Sequence, residues 1–242
     1  MIREYHLSRD PIFFATVAFF ALLTTGLSSV LGQLRFLPIV QAVALTILLL
    51  VPLRRRDLAA ALATVFLWLA LAMTTVFFVT WFAPVEMERT FENGFLHRAA
   101  FAEWYYAGSP LPASFLSQPL ASLAEIVGIV LGSLLTAGLV GAWFLMKLAN
   151  LAAFSAASLL LTLDNPLLIV VALPLWSILQ VAGGGGLLVV LAEPLASGRL
   201  GSGLRELGSS RRPPLLLFGG LFALGLLLEL LLSPFWHFTP LP

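Results

Sequence analysis

The sequence predicts an all-α, polytopic integral membrane bundle, and three observations carry that expectation. Long apolar runs, such as 11–31, 58–82 and 213–232, each exceed the roughly 18 residues that mark a membrane span. The composition agrees, with 60% hydrophobic residues, only 10% charged residues and a mean hydropathy of +1.01; an average soluble domain is about 25% charged. Ten of the thirteen basic residues fall in three clusters or at a helix end: Arg3/Arg9, Arg54-Arg55-Arg56, Arg199/Arg205/Arg211/Arg212, and Lys147. All of them can lie on one membrane side, and a Lys/Arg bias of this kind marks the cytoplasmic face.

Each element follows in order. With Arg3 and Arg9 inside, the first span, 11–31, runs outward and reads as a retained signal anchor, because no cleavage site interrupts it. A turn at 32–35 leads into the second span, 36–53, which returns to Arg54-Arg55-Arg56-Asp57. The third span, 58–82, runs outward again. Residues 83–118 form the longest polar stretch, with Glu86, Glu88, Glu92 and Glu103 against Arg89 and Arg98. They are expected as an extracytoplasmic amphipathic loop, with Trp104, Tyr105 and Tyr106 as an interfacial aromatic belt. The fourth span is expected at 119–146, ending at Lys147. The next segment, 148–163, is about 24 Å long if helical, marginal for about 30 Å of hydrocarbon. Asp164-Asn165-Pro166 breaks the chain, 166–192 forms another span, 193–212 forms a cytoplasmic basic loop, and 213–232 closes the bundle. If 148–163 crosses, there are seven spans, with the amino terminus in and the carboxyl terminus out. If it lies on the surface, there are six and four arginines fall outside. Seven is the expectation, in the cell inner (plasma) membrane.

Several function classes drop out. A net charge of +1 is not the basic patch of a nucleic-acid binder. Without cysteine there is no disulfide or thiolate chemistry. His6, His97 and His237 are scattered and show no metal-ligand spacing. No serine has a base adjacent in sequence, so an intramembrane serine hydrolase has little support. The expectation is a protein that is not an enzyme and holds no cofactor or metal.

The candidate functional residues are the charges inside or at the ends of spans. Glu125 lies about two turns into the fourth span, with Gly128 and Gly132 at i+3 and i+7 on the same face. The Gly128-xxx-Gly132 spacing admits a close neighbour, so Glu125 is expected to face protein; a hydrated carboxylate near the interface is the plainer alternative. Glu229 has a similar depth in the last span, and two carboxylates at one level can bind a cation or share a proton. Lys147 and Glu193, both at inner ends, can pair, although Lys147 can also snorkel. Pro174 and the run Gly183, Gly184, Gly185, Gly186 make 166–192 the best candidate for a discontinuous helix of the transporter kind; packing glycines are the alternative, so hinge and packing surface both stay open.

The second half has a recognisable cadence. Leu148-Ala149-Asn150-Leu151-Ala152-Ala153-Phe154 follows a glycine-bearing span. Leu173-Pro174-Leu175-Trp176-Ser177-Ile178-Leu179 precedes the glycine run and a basic loop, and Glu229-Leu230-Leu231-Leu232-Ser233-Pro234 ends the last span. Over 119–234 this resembles the membrane domain of the stage II sporulation protein M-like family. The departures are Leu151 after Asn150 where that family has Gly, and Gln180 where an acid is expected. The resemblance implies a component of a bacterial membrane complex. The function expected is therefore a non-enzymatic scaffold or permease-type subunit, surrounded by membrane lipids and working with a protein partner or as a homo-oligomer. The alternative is a self-contained transporter or channel using the broken helix 166–192 and Glu125.

Overall fold

The computed structural model describes residues 7–31, 36–163 and 172–236. Arg3, the turn at 32–35, the Asp164-Asn165-Pro166 break, His6 and His237 lie outside the described residues. Within them the fold is helical, with no strand: α1 Pro11–Leu31, α2 Phe36–Arg54, α3 Leu58–Phe82, α4 Pro84–Thr90, α5 Gly94–Ala107, α6 Pro119–Leu135, α7 Leu139–Leu163, α8 Leu175–Ala196, α9 Leu200–Leu207 and α10 Arg212–Leu232. Six of these helices (α1, α2, α3, α7, α8 and α10) are long and apolar enough to cross a membrane, the last with its short 3-10 extension to Phe235. This is the make-up of a multi-pass membrane protein. Apolar side chains cover its outside, among them Ile47, Phe78, Leu131, Leu216 and Leu231, as expected where the solvent is hydrocarbon.

The helices run between two ends. One, the arginine end, gathers Arg54, Arg56, Arg199 and Arg211. There Asp57 accepts the Ala60 N–H at 2.9 Å and caps α3. The other, the far end, is roofed by α4, α5 and the chain after α5. The two central helices, α7 and α8, are about two-thirds buried or more along their apolar stretches (67% and 72%), against 44% or less for the other spanning helices. Around them the main core joins Leu45 and Leu49 of α2, Trp68 of α3, Leu145 and Met146 of α7, and Leu188 of α8.

The expected fourth and fifth segments are not as the sequence reading had them. The apolar run 119–146 is broken at Thr136-Ala137-Gly138, and 148–163 is no separate segment but the continuation of the 25-residue α7. Ala137 (φ 51°) and Gly138 (φ 98°) take the left-handed conformation that turns the chain. The Thr136 hydroxyl donates to Gly132 O at 2.6 Å and accepts from Val140 N–H at 2.9 Å, so one side chain closes both helix ends. The helix α6 is therefore 17 residues, about 26 Å. Its turn lies beside Leu188 and Ala192 of α8, close to the arginine end. Lys147 consequently sits inside α7 and not at a helix end.

Of the expected span 166–192, residues 166–171 lie outside the described residues, and the interruption falls at Pro174 and not at the glycines of α8. This helix runs unbroken through Gly183–Gly186 and starts after Pro174, its N-cap. A Cβ on Gly183 would overlap the backbone of Phe222, and one on Gly186 the ring of Phe218, both in α10. Gly184 faces Leu145 of α7 and Gly185 faces Leu69 of α3. The glycine run is thus a packing surface on three sides. Dispersion rewards such close approach in lipid, where no hydrophobic force drives helices together.

The polar segment 83–118 is also more deeply integrated than an interfacial belt. Trp104 and Tyr105 are each 1% exposed, and only Tyr106 is out at 49%. Trp104 Nε1–H donates to Ser233 O at 2.8 Å. Phe101, Trp104 and Tyr105 pack with Leu159 and Leu160 of α7 and Trp176 of α8. The Phe91 and Phe154 rings stack at 4.5 Å.

Candidate functional site

Polar residues of the bundle form a buried tie, an arginine-end brace, a far-end cleft and an ion pair between α6 and α7. The tie joins three helices. Gln41 Nε2–H donates to Thr25 Oγ1 at 2.8 Å, and Asn150 Nδ2–H donates to Gln41 Oε1 at 2.6 Å. Gln41 and Asn150 are at most 1% exposed. In hydrocarbon such amides satisfy each other or pay the full desolvation cost, so this cluster locks α1, α2 and α7 together. Asn150 is thus in the middle of a helix and taken up by Gln41.

At the arginine end, Glu193 is 5% exposed and accepts from Arg211 Nη2 at 2.6 Å, with Arg56 Nε at 3.6 Å. Arg56 also bonds Glu206 of α9. Two guanidinium groups on one carboxylate hold the 53–57 turn, the end of α8 and the start of α10 in register. Lys147 has no part in this: the expected Lys147–Glu193 pair is replaced by Arg211–Glu193 and by Lys147–Glu125.

The far-end cleft holds about 70 Å³, room for several waters. Its polar lining is His97 from α5, Ser155 from α7, Ser177 and Gln180 from α8, Glu229 from α10, and Ser114 from the loop before α6. Glu229 is 8% exposed. Its Oε1 accepts the Phe115 N–H at 3.0 Å and its Oε2 accepts Gln180 Nε2–H at 2.6 Å. The close α8–α10 seam makes this geometry possible, because a Cβ on Gly225, one turn before Glu229, would stand 2.8 Å from Gln180 Cγ. His97 Nε2 and Ser155 Oγ are 2.8 Å apart. Burial pulls the His97 imidazole down from 6.5 to about 4, so the ring is neutral at pH 7.

Leu148 and Leu151 carry the cleft wall along α7 toward the middle of the bundle, and Lys147 is the neighbour of Leu148. Lys147 Nζ stands 3.6 Å from Glu125 Oε1 of α6, and over the Trp143 and Phe144 rings at 5.6 and 5.7 Å. The α6–α7 contact that sets this pair relies on missing side chains. A Cβ on Gly128 would overlap the Phe144 ring, one on Gly132 would stand 2.7 Å from Val140 Cγ1, and one on Gly141 would overlap Ser133 Oγ. Glu125, Gly128 and Gly132 all face α7.

The arrangement limits the chemistry. A neutral imidazole beside a serine hydroxyl can take its proton, and sequence spacing gave no sign of this pair because 58 residues separate its members. Ser155, however, lies inside α7, whose amides are committed to the helix ladder, so that helix offers no donor to a developing oxyanion. Among the described residues, no three His, Asp or Glu side chains converge as a metal site. What remains is a hydrogen-bonding cleft with one acidic side chain and, beside its α7 wall, a partly exposed Glu125–Lys147 pair. No family model matches the chain, and comparisons with curated proteins and with solved structures found no match.

Proposed function

We propose that this chain is the permease-type subunit of a bacterial inner-membrane complex, with seven spans, its amino terminus and arginine end in the cytoplasm, and its far end outside. The orientation rests on the arginine distribution. The seventh span is α6, whose turn beside Leu188 and Ala192 brings it nearly to the arginine end. One observation carries the functional reading: the His97–Glu229 cleft continues along α7 past Leu151 to Leu148, next in sequence to Lys147 of the Glu125–Lys147 pair. Charges inside a membrane protein are costly, and they mark the paths of ions and solutes. A scaffold needs no such path.

The mechanism follows from the pairing. A charged solute that enters the cleft meets Glu229 first. It advances only by competing with Lys147 for Glu125 or with Glu125 for Lys147, so the pair acts as a gate that exchanges partners. The self-contained transporter reading uses a broken helix within 166–192; the glycines at 183–186 are occupied by packing, and α8 is continuous there. Conformational drive then belongs to a partner protein, in keeping with the resemblance over 119–234.

The test is charge movement. Protein purified in mild detergent, with whatever co-purifies, is adsorbed as proteoliposomes on a solid-supported membrane. It is then challenged with concentration jumps of protons, sodium, methylammonium, chloride and phosphate. At least one should give a current, and Glu125→Gln should reduce it at least tenfold. Silence toward the whole panel, or a current unchanged in Glu125→Gln, contradicts the reading.

A further inference from the structure

We propose that the far-end cleft is a binding site for a small organic ammonium ion, held by Glu229 and by the rings of Phe101 and Trp176. The inference deepens the permease reading by naming the class of solute, and it rests on that reading only for the solute's onward path.

Charge comes first. Both Glu229 oxygens accept from neutral donors, a backbone N–H and an amide. The cleft is lined by no lysine or arginine among the described residues. Lys147, the nearest ammonium along α7, is engaged by Glu125. The His97 ring is neutral at physiological pH. With Glu229 as its one acidic side chain and no cation beside it, the cleft repels anions and favours a single positive charge.

The kind of cation follows from the other walls. A hard divalent ion takes six or more oxygen ligands, and the cleft offers one carboxylate. Phe101 and Trp176 line the same space, and aromatic faces attract ammonium groups, most strongly where water is excluded. Ser114, Ser155 and Ser177 supply hydroxyl acceptors for N–H donors. Carboxylate, rings and hydroxyls together suit an alkylammonium better than a strongly hydrated metal ion.

The experiment is titration calorimetry on the full chain in nanodiscs, with methylammonium, ethanolamine, tetramethylammonium and sodium as probes. At least one ammonium should bind saturably and more tightly than sodium. Glu229→Gln should weaken it at least tenfold, and Phe101→Leu, which removes the ring and keeps an apolar side chain, at least threefold. Monodisperse elution and an unchanged melting temperature identify variants that still fold. If Glu229→Gln does not fold, Phe101→Leu decides. No ammonium binding, binding no tighter than sodium, or binding indifferent to whichever of these variants fold, overturns the assignment. Ammonium binding without any current leaves the site standing and removes the permease reading. A current without ammonium binding does the reverse.

Discussion

His97 shows how one side chain couples the roof of the cleft to the bundle. It reaches from α5 to Ser155 on α7 at 2.8 Å, and its ring lies 6.1 Å from Phe101 and 6.2 Å from Phe154. The folded protein holds the ring neutral, with its pKa near 4 in place of 6.5. The unfolded chain therefore binds the proton more readily, and protonation favours unfolding. Stability from this residue is complete above pH 6.5, falls as the pH drops toward 4, and levels off below. At about 1.4 kcal/mol per pKa unit the loss is at most roughly 3–4 kcal/mol. Melting temperatures of wild type and His97→Gln between pH 7.5 and 4.5 check this. The glutamine keeps a hydrogen-bonding group and cannot titrate, so its acid-side decline should be shallower. Parallel curves would remove His97 from the roof's stability. Nothing in the sequence near His97 points to Ser155, because the link is made by α5 folding back on α7. Gln180 and Gln41 were equally hidden: neutral residues in apolar runs signal nothing until a partner helix is known.

At the scale of elements, the α8–α10 seam is the tightest test of packing. Gly183 meets the Phe222 backbone, which cannot swing aside, whereas a Cβ on Gly219 would lie 3.9 Å from Leu187 Cδ2, in ordinary contact. Gly183→Ala should therefore cost about 1–3 kcal/mol, as overpacking does, and Gly219→Ala close to nothing. Thermal unfolding in detergent distinguishes them, and equal effects would mean the seam is looser than the structure has it. The helices themselves were largely legible. Apolar runs flanked by arginine or proline located α1 and α3 to the residue, and α2 and α10 to within one. The α6–α7 boundary was not legible, because Thr136-Ala137-Gly138 brings no charge or proline into the apolar run and Lys147 looked like a natural stop. A left-handed pair capped by a threonine hydroxyl leaves no mark in hydropathy. The glycine run was visible as a feature, but its use depended on which side chains stand opposite.

At the scale of the molecule, the described charged groups sort into three levels. The arginine end is braced by Glu193 with Arg56 and Arg211, the partly exposed pair of Glu125 and Lys147 lies between the ends on α6 and α7, and the far end has Glu229 in a cleft roofed by α5 and the loop before α6. A brace at one end and an opening at the other is the layout that the proposed permease role needs. The arginine clusters gave the sequence its orientation signal, and the depth of Glu125 was readable from its position in an apolar run. Its partner was not, because the helix boundary between them was hidden.

The central claim is that water reaches down α7 from the far end and not from the arginine end. The chain has no cysteine, so single-cysteine variants can be read without background. Ala152→Cys and Leu148→Cys line the cleft, Leu131→Cys faces outward on α6, and Tyr106→Cys and Ser202→Cys are exposed markers for the two ends. Proteoliposomes carrying each variant are treated with a membrane-impermeant methanethiosulfonate from one side and then the other. The account predicts that residues 152 and 148 react from the side that labels 106, while 131 stays unreactive from both. Residues 148 and 152 as inert as 131, or reactive from the side that labels 202, would contradict it.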